Sequence, residues 1–241
     1  MKILGVIPAR YASTRFPAKP LIDIKGKSMI QRVYEQAIQT NFSKIIIATD
    51  DARIYEHAQS FQAPVMMTDA NHLNGTERCA EVVSKLDESF DIVINIQGDE
   101  PFVDPQMLMQ VSEAFQKEST QIATLIKPIQ DSSYLQNPSI IKVVKNLKNE
   151  ALYFSRSAIP YERNKSADFS YYKHIGIYAF RANCLQELVK LKSTALEQIE
   201  SLEQLRWLEN GYKIKLVETH LEADSIDTPE DLERLLLKYF K

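Results

Sequence analysis

Glycine is scarce in this chain. Six occur among 241 residues, where average usage would give about 17. That leaves little room for loops that cradle phosphates with backbone amides, and neither G-x-G-x-x-G nor G-x-x-x-x-G-K-[ST] is present. A nucleotide bound here must be held largely by cationic side chains. Cysteine is rarer still. Cys79 and Cys184 lie far apart without C-x-x-C spacing, so neither a disulfide framework nor a zinc site is expected. No run of about 18 apolar residues reads as a membrane span, and no signal-peptide h-region opens the chain. The expectation is a soluble, cytoplasmic protein without a membrane partner. A net charge of −3, from 29 Lys+Arg and 32 Asp+Glu, argues against nucleic acid held by bulk electrostatics.

What the chain does contain is alternation of short apolar runs with helical patterns, the mark of an α/β fold. Lys2–Ile7 reads as a first strand closed by Pro8. Ser28 caps a helix with Met29, Val33, Ala37 and Ile38 at helical spacing. Ile45–Ala48, Val65–Met67 and Asp91–Ile96 read as strands, Ile140–Lys145 with Ala151–Ser155 as a hairpin, and Ile175–Phe180 and Lys213–Val217 as later strands. Helices are expected over 105–115, 182–191, 198–209 and 229–240. The last has Thr228 as cap, Pro229 at its first position and Asp231 three residues after the cap. No linker divides the chain, so one compact unit with an elaborated second half is expected, and 164–170 is the best candidate for a mobile loop.

Charge is uneven where it matters. From Met1 to Ile22 the charged residues are Lys2, Arg10, Arg15 and Lys19, and the first acid is Asp23. Arg10, Ser13, Arg15 and Lys19 fall on a proline-framed loop directly after the first strand, where ligands bind in open α/β sheets. Arginine forks match phosphate oxygens, and a lysine can neutralise a leaving pyrophosphate. Asp99, in Gln97-Gly98-Asp99-Glu100-Pro101, emerges from a buried strand. It fits either a divalent-cation ligand or an acidic cap for the helix at 105–115. Asp227 could join Asp99 on a metal, though spacing alone favours a decorated helix cap. Arg156 ends a strand and suits a carboxylate. His174, Gly176 and Tyr178 alternate onto one face, and Glu203-Gln204 interrupts an apolar helical stripe. Such lone polar residues at strand ends are more often structural than catalytic.

Taken together, IPARYASTRFPAKPL, ATDDARI, NGTERCAEVV, NIQGDEP, ALYFSRSAIPY, HIGIYAFR, LEQLR and IDTPEDLE, in that order along nearly the whole chain, resemble the 3-deoxy-manno-octulosonate (Kdo) cytidylyltransferase family. The resemblance implies a Rossmann-like three-layer fold with a mixed, mainly parallel sheet. It implies a CTP-binding part over about 1–120, a β-rich sugar-acid and dimer-contact part over about 121–215, and a returning metal-ligand segment over 216–241. It further implies Mg²⁺-dependent transfer of CMP from CTP to Kdo, for lipopolysaccharide biosynthesis, by a homodimer. Arg10, Ser13, Arg15 and Lys19 resemble its triphosphate loop, Gly75, Arg78 and Gln97 its nucleotide contacts, and Asp99 with Asp227 its Mg²⁺ ligands. Gln97, Arg156, His174, Tyr178, Glu203 and Gln204 resemble its sugar-acid pocket, and Arg10, Lys19, Asp99 and Asp227 its catalytic set. The family's usual glycine is Ala18 here, which implies φ < 0 at that position. Its usual Asp is Glu77, one methylene longer. An 8-amino-Kdo or sialic acid cytidylyltransferase, or a silent nucleotide-binding subunit, are the alternatives.

Overall fold

Apolar runs of four to seven residues bounded by turn-forming residues form buried strands, and the intervening helical patterns cover them. The computed structural model describes residues 1–12, 16–164 and 169–240. Ser13 and Arg15, and most of the loop expected over 164–170, lie outside the described residues. In chain order the elements begin with β1 (Ile3–Ala9), a small antiparallel ribbon of β2 (Asp23–Ile24) and β3 (Lys27–Ser28), α1 (Met29–Ala37) and β4 (Lys44–Thr49). They continue with α2 (Ala52–Ser60), β5 (Val65–Met67), α3 (Gly75–Lys85), β6 (Ile92–Asn95) and α4 (Pro105–Glu113). Next come β7 (Ile122–Pro128), α5 (Ser133–Gln136), β8 (Lys142–Lys145), β9 (Ala151–Ser155) and β10 (Tyr172–Arg181). The chain closes with α6 (Ala182–Leu188), α7 (Ala195–Glu200), α8 (Gln204–Glu209), β11 (Ile214–Glu218) and α9 (Pro229–Tyr239). They cluster into two compact units: residues 1–109 with the segment from Glu222 onward, and residues 110–221.

In the first unit β1 pairs in parallel with β4 on one side and β6 on the other, and β4 pairs in parallel with β5, giving the order β6-β1-β4-β5. The chain leaves β1, builds outward through β4 and β5, then returns to the other side of β1 as β6. Such a reversal of strand order opens a crevice at the carboxyl ends of the strands. β1 does not stop at Pro8 as expected but runs to Ala9. Pro8 lies past Val6, the last residue of β1 in register with β6, so its missing N–H costs no bond on that side. Gly5 is explained by close packing. A Cβ there would meet Ile45 Cδ1 at 2.6 Å and Ile96 Cδ1 at 3.0 Å.

Two further departures have physical causes. Ala18 has φ 58° and lies in the left-handed region, contrary to the expectation of φ < 0. The turn imposes it: the N–H of Ala18 donates to Tyr11 O at 3.2 Å, and its carbonyl accepts from Leu21 N at 2.8 Å. In the second unit, with strand order β11-β7-β10-β8-β9, β7 and β11 are parallel and the other pairings antiparallel. The helix expected over 198–209 is broken into α7 and α8 at Ser201, φ 51°. β10 carries an irregularity between Ile175 and Tyr178, where Gly176 sits. Both units join strands and helices in an α/β arrangement, with parallel pairing throughout the larger sheet of the first and mainly antiparallel pairing in the second.

Candidate functional site

Arg10 follows β1, Asp50 follows β4, Thr68 follows β5, and Gln97 to Asp99 follow β6. Because these strands are parallel, their carboxyl ends lie on one edge of the sheet. Gly98 lets β6's exit pass close to β1. A Cβ on Gly98 would stand 2.5 Å from Pro8 O, a contact no side chain tolerates, so this glycine is required by the approach of two backbones.

Asp99 and Asp227 come together on a lysine. Lys19 Nζ donates to Asp99 Oδ2 at 2.8 Å and to Asp227 Oδ1 at 3.1 Å. Three features deliver Asp227. The N–H of Ile226 donates to Asp99 O at 2.9 Å. Ile226 is buried with Ile24, Met29 and Leu235. Thr228 and Asp231 form a reciprocal capping box at the start of α9. Asp227 is thus not merely cap decoration. Nor is Asp99 the cap of α4: Asp104 has that place, its Oδ1 accepting from Gln106 N at 2.8 Å. Burial works against the charge on Lys19, but Asp99 and then Asp227 more than offset it and hold the ammonium pKa above the ordinary lysine value. Glu100, the next residue, is buried, and burial, reinforced by the charges of Asp99 and Asp224, pushes its carboxyl up to about 8.

A second cluster adjoins the same strand ends. Arg78, fully buried on α3, donates through Nη2 to Asp50 Oδ2 at 2.9 Å and through Nη1 to Thr68 Oγ1. Arg10 Nε stands 4.0 Å from the same Asp50 oxygen. Its Nη2 is buried with no hydrogen-bond partner among the described residues, a donor an anion would satisfy. Asn74 caps α3 by accepting from Glu77 N at 2.8 Å, and the longer Glu77 reaches back to Leu73 N at 2.7 Å. The extra methylene therefore serves the cap and leaves Arg78 in place. Gly75 packs on Pro8 and Asn95. Tyr11 is fixed beneath Arg53, whose guanidinium carbon is 3.3 Å from the ring centroid.

The second unit gathers His174, Tyr178 and Trp207. The His174 ring lies 5.2 Å from Tyr178, and Tyr178 is edge-on to Trp207 at 5.1 Å. Thr124 Oγ1 is 3.0 Å from His174 Nε2 and also donates towards Ile175 O and Ile177 O. Its single proton serves a carbonyl, so Nε2 carries the imidazole proton. Burial lowers the His174 pKa to about 3, which keeps it neutral at ordinary pH. Burial, then the charge of Glu203, raises Tyr178 well above the usual phenol value. Gln204 is buried at the start of α8. Arg156 is held differently from the free fork expected of a carboxylate grip. Its Nε donates to Glu200 O at 2.7 Å, Nη1 to Pro138 O at 3.0 Å and Nη2 to Ser201 O at 3.4 Å. One N–H remains on each terminal nitrogen.

Asp50, Thr68, Thr124 and Trp207 were not singled out from the sequence. Asp50, like Arg10, is a polar residue just past a buried strand, but the same segment opens α2, where its neighbour Asp51 is the cap, accepting from Arg53 N at 2.9 Å.

Asp99 and Asp227 offer hard oxygen donors that converge on one cation, which fits Mg²⁺ held by two carboxylates with substrate phosphates completing the shell. No group of three or more His, Cys, Asp or Glu side chains suited to a metal occurs among the described residues, so a metal cage made by protein alone is not formed by them. Comparison with known proteins adds the following. The cytidylyltransferase family profile matches residues 4–214. The chain is 52% identical to the 3-deoxy-manno-octulosonate cytidylyltransferase of Parabacteroides distasonis, covering 98% of this chain and 97% of that protein. It is 51% identical to the enzyme of the same name from Bacteroides thetaiotaomicron, covering 97% and 96% respectively. A solved structure of CMP:2-keto-3-deoxy-manno-octonic acid synthetase complexed with CTP superposes with a TM-score of 0.93 at 42% identity, covering 99% of this chain and 98% of that one.

Proposed function

The chain belongs to the 3-deoxy-manno-octulosonate cytidylyltransferase family, and from that premise we propose that it transfers CMP from CTP to the anomeric hydroxyl of Kdo, releasing pyrophosphate. The product is the activated sugar acid used in lipopolysaccharide assembly. The observation that carries the reading is the meeting of Lys19, Asp99 and Asp227 at the strand ends that also present Arg10.

In the reaction the sugar hydroxyl attacks the α-phosphorus, the new C–O–P link forms as the Pα–O–Pβ bond breaks, and the hydroxyl proton passes to solvent. Arg10 and Lys19 neutralise the departing pyrophosphate, with Ser13 and Arg15 assigned to the same triphosphate. Gly75, Arg78 and Gln97 hold the nucleotide. Mg²⁺, when bound by Asp99 and Asp227, supplies positive charge that favours the ionised hydroxyl and the charged phosphates. Arg156, His174, Tyr178, Glu203 and Gln204 of the second unit are assigned to Kdo. His174 serves as a neutral ring whose Nδ1 is the acceptor left over, since burial holds its pKa near 3. Arg156 binds the sugar carboxylate with the N–H groups its backbone contacts leave over.

The enzyme works in the cytoplasm as a homodimer. Leu147, Leu152, Tyr161 and Phe169 in the second unit are exposed and offer apolar surface for pairing. Among the described residues no helix is long and apolar enough to cross a membrane.

The test is pyrophosphate release with Mg²⁺, each of four nucleoside triphosphates, and Kdo, 8-amino-Kdo or sialic acid. Turnover is expected with CTP and Kdo, and Asp99→Asn is expected to abolish it while circular dichroism stays unchanged. Equal rates with every nucleotide would overturn the substrate assignment. Near-normal turnover of Asp99→Asn at saturating Mg²⁺ would overturn the metal assignment.

A further inference from the structure

Two carboxylates brought side by side repel, and a half-buried setting sharpens the repulsion. Asp99 and Asp227 are 29% and 36% exposed, and Lys19, at 15% exposure, places its ammonium against both. The lysine thereby contributes one positive charge against two negative ones. Its backbone is fixed by the 3₁₀ turn Lys19–Leu21, whose N-terminal N–H donates to Phe16 O at 3.3 Å. Only the flexible side chain can change partner.

The two carboxylates that hold the ammonium are those assigned above to the divalent cation. Mg²⁺ needs its oxygens at about 2.0–2.1 Å, so an ion binding Asp99 and Asp227 together must displace the ammonium from between them. With metal alone, the carboxylates are neutralised but Lys19 loses both of its anions in a largely enclosed place, which is costly. With metal and a triphosphate, the displaced ammonium finds new anionic oxygens. The charge count favours joint entry.

We propose that Lys19 is the resident counter-ion of the Asp99–Asp227 pair and makes divalent-cation binding contingent on a nucleoside triphosphate, so that free metal is resisted and the metal–nucleotide complex admitted. This rests on the reading of Asp99 and Asp227 as metal ligands. It assigns Lys19 an ordering role in addition to its contact with phosphate.

Manganese binding by the full chain, followed by electron paramagnetic resonance without nucleotide, tests it. Lys19→Met is expected to bind Mn²⁺ at least about ten-fold more tightly than the unsubstituted protein, Lys19→Arg no more tightly, and Lys19→Met combined with Asp99→Asn is expected to lose the gain. Lys19→Gln, whose amide can still bond the carboxylates, gives the same comparison should the methionine variant not fold. Equal Mn²⁺ affinity with and without the lysine charge overturns the inference. If Asp99→Asn still loses the Mn²⁺ bound together with CTP, the failure belongs to the Lys19 inference alone. If that Mn²⁺ is retained, the metal reading itself falls.

Discussion

Asp50 shows how one side chain can set the posture of a site without being visible as part of it. Its Oδ2 accepts from Arg78 at 2.9 Å and faces Arg10 at 4.0 Å, so one carboxylate holds a buried arginine of α3 and orients an arginine at the end of β1. Asp50→Asn keeps an acceptor for Arg78 but removes the charge that draws Arg10. The KM for CTP is expected to rise about ten-fold, which corresponds to about 1.4 kcal/mol, with kcat and the KM for Kdo changed much less. Asp50→Glu is expected to recover part of the loss. Initial-rate kinetics against each substrate separate this from general damage, and an unchanged KM for CTP would remove Asp50 from the site. Arg10 and Asp99 were candidates from sequence because each lies just past a buried strand, and Lys19 because it falls on a proline-framed loop that carries cations and no acid. Asp50 was hidden behind the cap made by Asp51. Ala18 misled because residue type does not reveal φ: two backbone hydrogen bonds hold it left-handed, at a cost of about 1–2 kcal/mol.

Elements built from local signals were readable, and those built from distant contacts were not. β1, β4 and β6 showed as apolar runs, and α9 showed through Thr228, Pro229 and Asp231. β7 carried no turn signal that set it apart and was not foreseen. The break between α7 and α8 follows from a pairing nine residues apart. Arg206 donates to Glu197 through Nε at 2.7 Å and Nη2 at 2.5 Å. A continuous helix would set those positions about 13.5 Å apart along its axis, so the chain turns back at Ser201 to let them meet. The start of α9 has the opposite character, since its local cap also carries Asp227. Thr228→Ala removes that cap and is expected to cost about 1 kcal/mol, lowering Tm by about 2–4 °C. The same variant is expected to lose activity beyond what stability explains, because Asp227 precedes the cap directly, and Thr228→Ser is expected to restore both. Calorimetry and turnover measured on the two variants check this, and a destabilised Thr228→Ala with full kcat would separate the cap from the placement of Asp227.

Across the whole molecule, the two compact units carry buried titratable groups whose effects on stability have opposite signs. His174, in the unit spanning 110–221, keeps a pKa of about 3 because burial disfavours its charge, whereas an unfolded histidine titrates near about 6.5. Between those values the unfolded chain binds a proton that the native state refuses, so stability is fully present above about pH 6.5 and declines as pH falls, by up to about 1.4 kcal/mol per pH unit. Glu100, in the unit containing β1 and α9, stays protonated up to about 8 through burial and the charges of Asp99 and Asp224. The native state there holds a proton the unfolded chain releases, so its contribution weakens as pH rises from the ordinary carboxylate range. Falling pH therefore weakens one unit below about pH 6.5, while rising pH weakens the other up to about pH 8. Trp207, the one tryptophan in the chain, packs edge-on to Tyr178 beside His174, so its fluorescence follows the 110–221 unit. Urea titrations read by that signal are expected to give a lower midpoint at about pH 5 than at about pH 6.5, and His174→Gln is expected to remove most of the difference. Carboxylates held low by partners, such as Glu197 beside Arg206, lose their contribution only below about pH 4.3. Within the 110–221 unit that Trp207 reports, the interval between pH 5 and 6.5 therefore reflects the histidine, while Glu100 acts in the opposite sense on the other unit, and an equal pH response in His174→Gln would mean that another group in the unit carries the proton.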